Sequence, residues 1–75
     1  MTLEQTHQEL LREIYYKTEQ NRFISLDELE TLVGQPGARL RPALEDLKNL
    51  GYIVENDLFF ELSNAGRSFV RSYWA

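Results

Sequence analysis

The stretch LRPALEDLKNLGYIVENDLFFELSNAGR, residues 40–67, decides the fold. Leu40, Ala43, Leu44, Leu47 and Leu50 recur at three- and four-residue spacing and make one apolar helix face. Gly51 supplies a left-handed stop, and Tyr52 is set to fold back on Leu47 as a Schellman ending requires. The spacing then changes from helical to extended. Tyr52-Ile53-Val54 and Leu58-Phe59-Phe60-Glu61-Leu62 flank Asn56-Asp57, which predicts a short hairpin turning at those two residues. If Phe60 and Leu62 face inward, alternation puts Phe59 and Val54 on the outer face. Ser63 then caps a last helix with Ala65, Phe69, Val70 and Tyr73 inside. Pro42 has no amide hydrogen and belongs in a first turn, so its helix is expected to start near Ala38 or Arg39.

Upstream, Leu3, Leu10, Leu11, Ile14 and Tyr15, with His7 and Thr18 in the same stripe, predict an amphipathic first helix. Thr2-x-x-Gln5 and Thr6-x-x-Glu9 both fit a capping box at its start. Phe23-Ile24 reads as a short extended segment. Ser25 caps a second helix, Glu28 completes the box, and Ile24 staples against Leu29. The expected inner face of that helix is Leu29, Leu32 and Val33, with Gly34 as its stop.

The sequence has 75 residues, eight basic and twelve acidic side chains, one histidine and no cysteine, for a net charge of -4. Without cysteine there is no disulfide framework, zinc-thiolate site, iron-sulfur centre or thiol nucleophile. A hydrophobic share of 43% suits a folded core, and the length suits one domain over residues 1–75. A chain this short buries only about 60% of its unfolded surface, which makes self-association a natural expectation. Met1 to Leu11 carries Glu4, His7, Gln8 and Glu9 where an export signal needs bases followed by an apolar run. The apolar runs are two or three residues long, against the ~20 of a membrane span. The expectation is a soluble, cytoplasmic protein with no membrane partner.

Leu40-x-x-x-Leu44-x-x-Leu47-x-x-x-Gly51-Tyr52-Ile53, followed by Phe60-x-Leu62-Ser63-x-x-Gly66-Arg67, resembles the third helix, wing strand and following helix of MarR-like and PadR-like regulators. With the first helix in place, the resemblance to the winged helix-turn-helix superfamily covers nearly the whole chain. It implies a mostly helical α+β fold: three helices, a short two-stranded β-hairpin wing and a C-terminal helix. It further implies a DNA-binding transcription regulator acting as a homodimer on double-stranded DNA, its third helix in the major groove and its wing on phosphates.

Opposite the leucine face, the outward stripe of that third helix is Ala38, Pro42, Glu45 and Asn49. Arg41 and Lys48 flank it on one side and Arg39 on the other. The DNA-contacting candidates are therefore Arg39, Arg41 and Lys48 for phosphates and Asn49 for adenine. Arg41 and Glu45, four apart, also read as an ordinary surface ion pair. The wing carries Glu55, Asp57 and Glu61 and no base, the opposite of what phosphate contact requires. Residues 1–33 hold seven acids and three bases, while residues 34–75 hold five of each, so the second half is neutral. The alternative is a winged helix that binds protein and not DNA, through apolar groups the core does not need. Its candidates are Tyr16, Phe59, Tyr73 and Trp74.

No catalytic, cofactor or metal site is expected. His7 lies in the apolar stripe of the first helix, and the pairs Glu9/Glu13 and Asp27/Glu30 sit on solvated helix faces. Gly34-Gln35-Pro36-Gly37 lacks the Gly-Lys-Ser/Thr ending of a phosphate loop, and Pro36 removes an amide that such a loop uses.

Overall fold

The computed structural model describes residues 3–74, the side chain of Trp74 excepted. Along the chain run α1 (Gln5–Glu19), β1 (Ile24–Ser25), α2 (Leu26–Val33), α3 (Gly37–Asn49), β2 (Ile53–Asn56), β3 (Phe59–Leu62) and α4 (Asn64–Trp74). The fold is mostly helical α+β, with one antiparallel sheet in the order β1-β3-β2. The expected two-stranded hairpin thus gains a third strand, because Ile24 pairs with Phe60 and Ser25 with Phe59. The extended segment expected at Phe23-Ile24 lies one residue later, and two residues are too few to show a strand period, so its place in the sheet is revealed by the long-range pairing. In the hairpin, Ile53 pairs with Leu62 and Asn56 with Phe59.

That last pair moves the turn by one residue. The loop is Asp57-Leu58, with φ of 48° and 71°, and not Asn56-Asp57. Leu58, expected in the strand, instead occupies the second turn position, where a type I′ loop favours glycine.

Helix ends follow local chemistry. Glu4, and neither threonine, is the N-cap of α1: its backbone N–H donates to His7 Nδ1 at 3.2 Å. Thr2 lies outside the described residues. At the other end Asn21 takes φ 58°, and Arg22 N–H donates to the Lys17 carbonyl at 2.9 Å, a Schellman ending built on asparagine. Ser25 and Glu28 form the expected capping box of α2. The α3 stop is also as read: Gly51 has φ 80°, and Tyr52 N–H donates to the Leu47 carbonyl at 3.0 Å. Its start differs. The helix begins at Gly37, whose N–H donates to Glu30 Oε2 at 2.8 Å, so a carboxylate from α2 satisfies one of the amides exposed there. Pro42 consequently sits in the second turn, where it can return no N–H to the Ala38 carbonyl.

The core is one cluster. Leu10, Leu11 and Ile14 of α1 meet Leu29 of α2, Leu40, Leu44 and Leu47 of α3, Ile24, Ile53 and Phe60 of the sheet and Val70 of α4. Thr18 Oγ1, within this core, accepts from Leu62 N–H at 3.2 Å and ties α1 to β3. Several expected inner positions face out: Leu32 is 51% exposed, Tyr73 is 69% exposed, and Leu50 and Ala65 are exposed. α4 turns Gly66, Phe69 and Val70 inward, because Gly66 packs directly on the backbone leaving α3.

Candidate functional site

Strand β2 lies beside α3, and its alternation decides the electrostatics of that helix. Glu55 stands opposite Phe60 in the register, on the inward side of the sheet, and reaches α3. Lys48 Nζ donates to Glu55 Oε1 at 2.8 Å and to Glu45 Oε1 at 3.2 Å. Arg41 Nη1 lies 3.3 Å from both Glu55 oxygens, and 3.8 Å from Glu45 in the expected i, i+4 pair. Its guanidinium carbon stands 6.0 Å from the Phe60 ring centre, so the aromatic face also contacts the cation. Two bases and two acids thus close a neutral network, with the Glu55 side chain only 17% exposed at its centre. The hydrogen bond from Lys48, followed by the field of Arg41, holds the Glu55 carboxyl below its ordinary range against the opposing effect of burial. The same bonds to Glu55 and Glu45 raise the Lys48 ammonium above its ordinary value.

Of the four DNA-contacting candidates, Arg41 and Lys48 are therefore brought together, but around an internal carboxylate. Asn49 is exposed at the end of α3, and Arg39 is exposed in its first turn. On α4, Arg67 and Arg71 both face Glu19 of α1, at 3.7 and 3.3 Å. Of the five bases in residues 34–75, Arg39 is the one with no ion pair among the described residues. It borders a shallow cleft that also holds His7 and Asp46. His7, 5% exposed, accepts at Nδ1 from Glu4 N–H, leaving its Nε2–H to donate to Asp46 Oδ2 at 3.0 Å. Both ring nitrogens are thereby engaged, Nδ1 in capping α1 and Nε2 in joining α1 to α3.

The opposite face of the sheet is mixed: Ser25, Asn56 and Glu61 share it with exposed apolar side chains. Phe59 is 45% and Val54 41% exposed on the expected outer side. Two residues that sequence reasoning passed over join them: Phe23, just before β1, at 56%, and Leu58 at the hairpin tip, at 63%. The signal for Leu58 was present in the tripeptide Leu58-Phe59-Phe60, but assigning it to a strand concealed its exposure. A groove of about 280 Å³ lies at this tip, lined by Ser25, Leu26, Asp27, Asp57, Leu58 and Phe59. Elsewhere, Tyr16 of α1 is 53% exposed with its ring 6.1 Å from Tyr15, while Tyr73 packs at a tilt against Phe69, which stacks in turn on Tyr52. The Trp74 side chain lies outside the described residues.

Among the described residues no group of three His, Asp or Glu side chains is placed to hold a metal ion, and no helix is long and apolar enough to cross a membrane. Comparison with family models, with curated proteins and with solved structures finds no match to this chain.

Proposed function

We propose that this chain is a winged-helix domain used to bind protein, its helix-three face being self-neutralised instead of reading DNA. The fold half of the reading is supported by α2 and α3 joined through a tight turn, then the β2–β3 hairpin and a closing helix, in the order the resemblance implies. One observation carries the functional half: Glu55 of the hairpin bridges Arg41 and Lys48. A phosphate approaching α3 must displace a carboxylate that is tethered, partly desolvated and already bonded to both cations. A protein that neutralises about six to ten phosphates needs uncompensated bases. Among the described residues of α3 and the hairpin, Arg39 is the one base without an ion pair.

The test is fluorescence anisotropy of mixed-sequence duplexes at low salt, with the oligomeric state fixed by light scattering. No saturable binding is expected; binding that weakens steeply with added salt would overturn the reading.

A DNA-binding homodimer of the transcription-regulator type is the second reading. It is favoured by the exposure of Arg39 and Asn49 on α3. On that reading Arg39→Ala with Arg41→Ala weakens duplex binding and flattens its salt dependence, and an unchanged titration rejects it.

A further inference from the structure

We propose that the groove between the hairpin tip and the start of α2 docks a segment of a partner protein in which an apolar anchor is flanked by lysine or arginine. The proposal rests on the protein-binding reading and names the chemistry of the partner. Three observations lead to it.

The first is the turn itself. Leu58 holds φ 71°, a left-handed conformation that a bulky side chain seldom adopts, in a loop position where glycine is free of strain. The strain brings no burial in return: Leu58 is 63% exposed. The two-residue hairpin imposes this backbone, and it leaves an apolar side chain in solvent beside the groove.

The second is the apolar lining. Phe59 and Leu58 line the groove above Leu26, which packs on the core. The groove is a shallow, open depression of about 280 Å³ whose lining includes Leu26, Leu58 and Phe59.

The third is charge, which selects the occupant. Asp27 and Asp57 line the groove, Glu61 stands in the outward row of β3 with Phe59, and no base lines the groove. A second copy docking through the same surface about a two-fold axis would set these aspartates against their own counterparts. A segment bearing lysine or arginine beside its anchor is complementary to them.

The experiment follows backbone amide shifts of the full chain, labelled with nitrogen-15, during titration with three synthetic peptides of equal length. One peptide alternates leucine and lysine, one leucine and glutamate, one serine and lysine. The leucine-lysine peptide is expected to shift the amides of Ser25, Leu26, Asp57, Leu58 and Phe59 more than tenfold more tightly than either control. Leu58→Gly should lose at least tenfold of that affinity while unfolding at a higher temperature, since glycine relieves the turn. Asp57→Asn should lose several-fold. Equal binding of the leucine-glutamate peptide would reduce the effect to general apolar adhesion, and equal binding of the serine-lysine peptide to bulk charge. Undiminished binding by Leu58→Gly, shifts at other amides, or self-association through this face would each overturn the proposal. Failure here without duplex binding rejects the groove alone, whereas salt-sensitive duplex binding by the wild type rejects the protein-binding reading.

Discussion

Gly51 and Gly66 serve different purposes. Gly51 has φ 80° and open space around the position of a Cβ, so its requirement is conformational. Gly66 sits where a Cβ would lie 2.0 Å from the Tyr52 carbonyl oxygen, so its requirement is steric, and the obstruction is backbone that cannot swing aside. Urea titration should accordingly rank Gly66→Ala as the more damaging, at about 3 kcal/mol, with Gly51→Ala near 1 kcal/mol. Equal losses would contradict the packing of α4 against the end of α3. Ser63 works beside Gly66: its Oγ accepts from Gly66 N–H at 3.0 Å and donates to the Gly51 carbonyl. The Ser63-x-x-Gly66 spacing thus joins a helix cap to a close backbone approach. At the hairpin tip the sign reverses, and Leu58→Gly should gain about 1 kcal/mol. His7 gives a further check at this scale: with Nδ1 accepting from Glu4, nitrogen-15 spectra of the imidazole should report the Nε2-protonated tautomer.

Among the elements, β2 and α3 are coupled through Glu55, and the coupling has a definite pH signature. The Glu55 carboxyl is depressed in the folded state, so its contribution is present above the unfolded value of about 4.3 and lost as pH falls through the folded value. Lys48 is raised, so its side of the same interaction is intact below about 10.4 and lost as pH rises through the higher folded value. The network should therefore add a constant increment from about pH 5 to 10. Chemical denaturation of Glu55→Gln is expected to fall below wild type at pH 6 and to converge with it as pH falls through the folded value of Glu55; curves that stay parallel down to acid would contradict the geometry. Glu28 is also depressed, chiefly by the hydrogen bond from Ser25 N–H, so a residual acid dependence should persist in the variant. The same substitution leaves Arg41 and Lys48 with Glu45 as their one remaining acid, and a gain of salt-sensitive duplex binding is expected with it.

For the molecule as a whole, α1 is the element that the others share. It packs on α2, α3, α4 and β3, with Leu10, Leu11 and Ile14 fully buried. His7 to Asp46 fastens its start, and Thr18 to Leu62 with Glu19 to Arg67 and Arg71 fasten its end, to three different elements. At ~0.05–0.15 kcal/mol per residue, a chain of this length is stable by about 4–11 kcal/mol. Leu44→Ala, at a position with no exposure, should remove about 3 kcal/mol and lower the unfolding midpoint steeply. A loss under 1 kcal/mol, measured by calorimetry, would mean that the core is not one cooperative cluster.

What the sequence determined alone is the local chemistry. The leucine spacing of α3, the Ser25 box, the Gly51 stop and the Ser63 cap are decided by residues within a few positions of one another, and each is found where the spacing puts it, apart from Leu50, which faces out. Near neighbours also set the limits of that approach. Pro42 suggested a later helix start, because nothing local announces that Glu30 of α2 receives the Gly37 amide. Only tertiary structure decided that Ile24 and Ser25 add a third strand, that the hairpin turns at Leu58, and that Arg41 and Lys48 belong to Glu55. The electrostatic reversal of the α3 face is the largest of these. Arg41 looked paired to Glu45 at four residues' distance, yet its closer partner lies fourteen residues away on another element. An ion pair across elements depends on strand register and helix rotation together, and both are fixed only when the core closes.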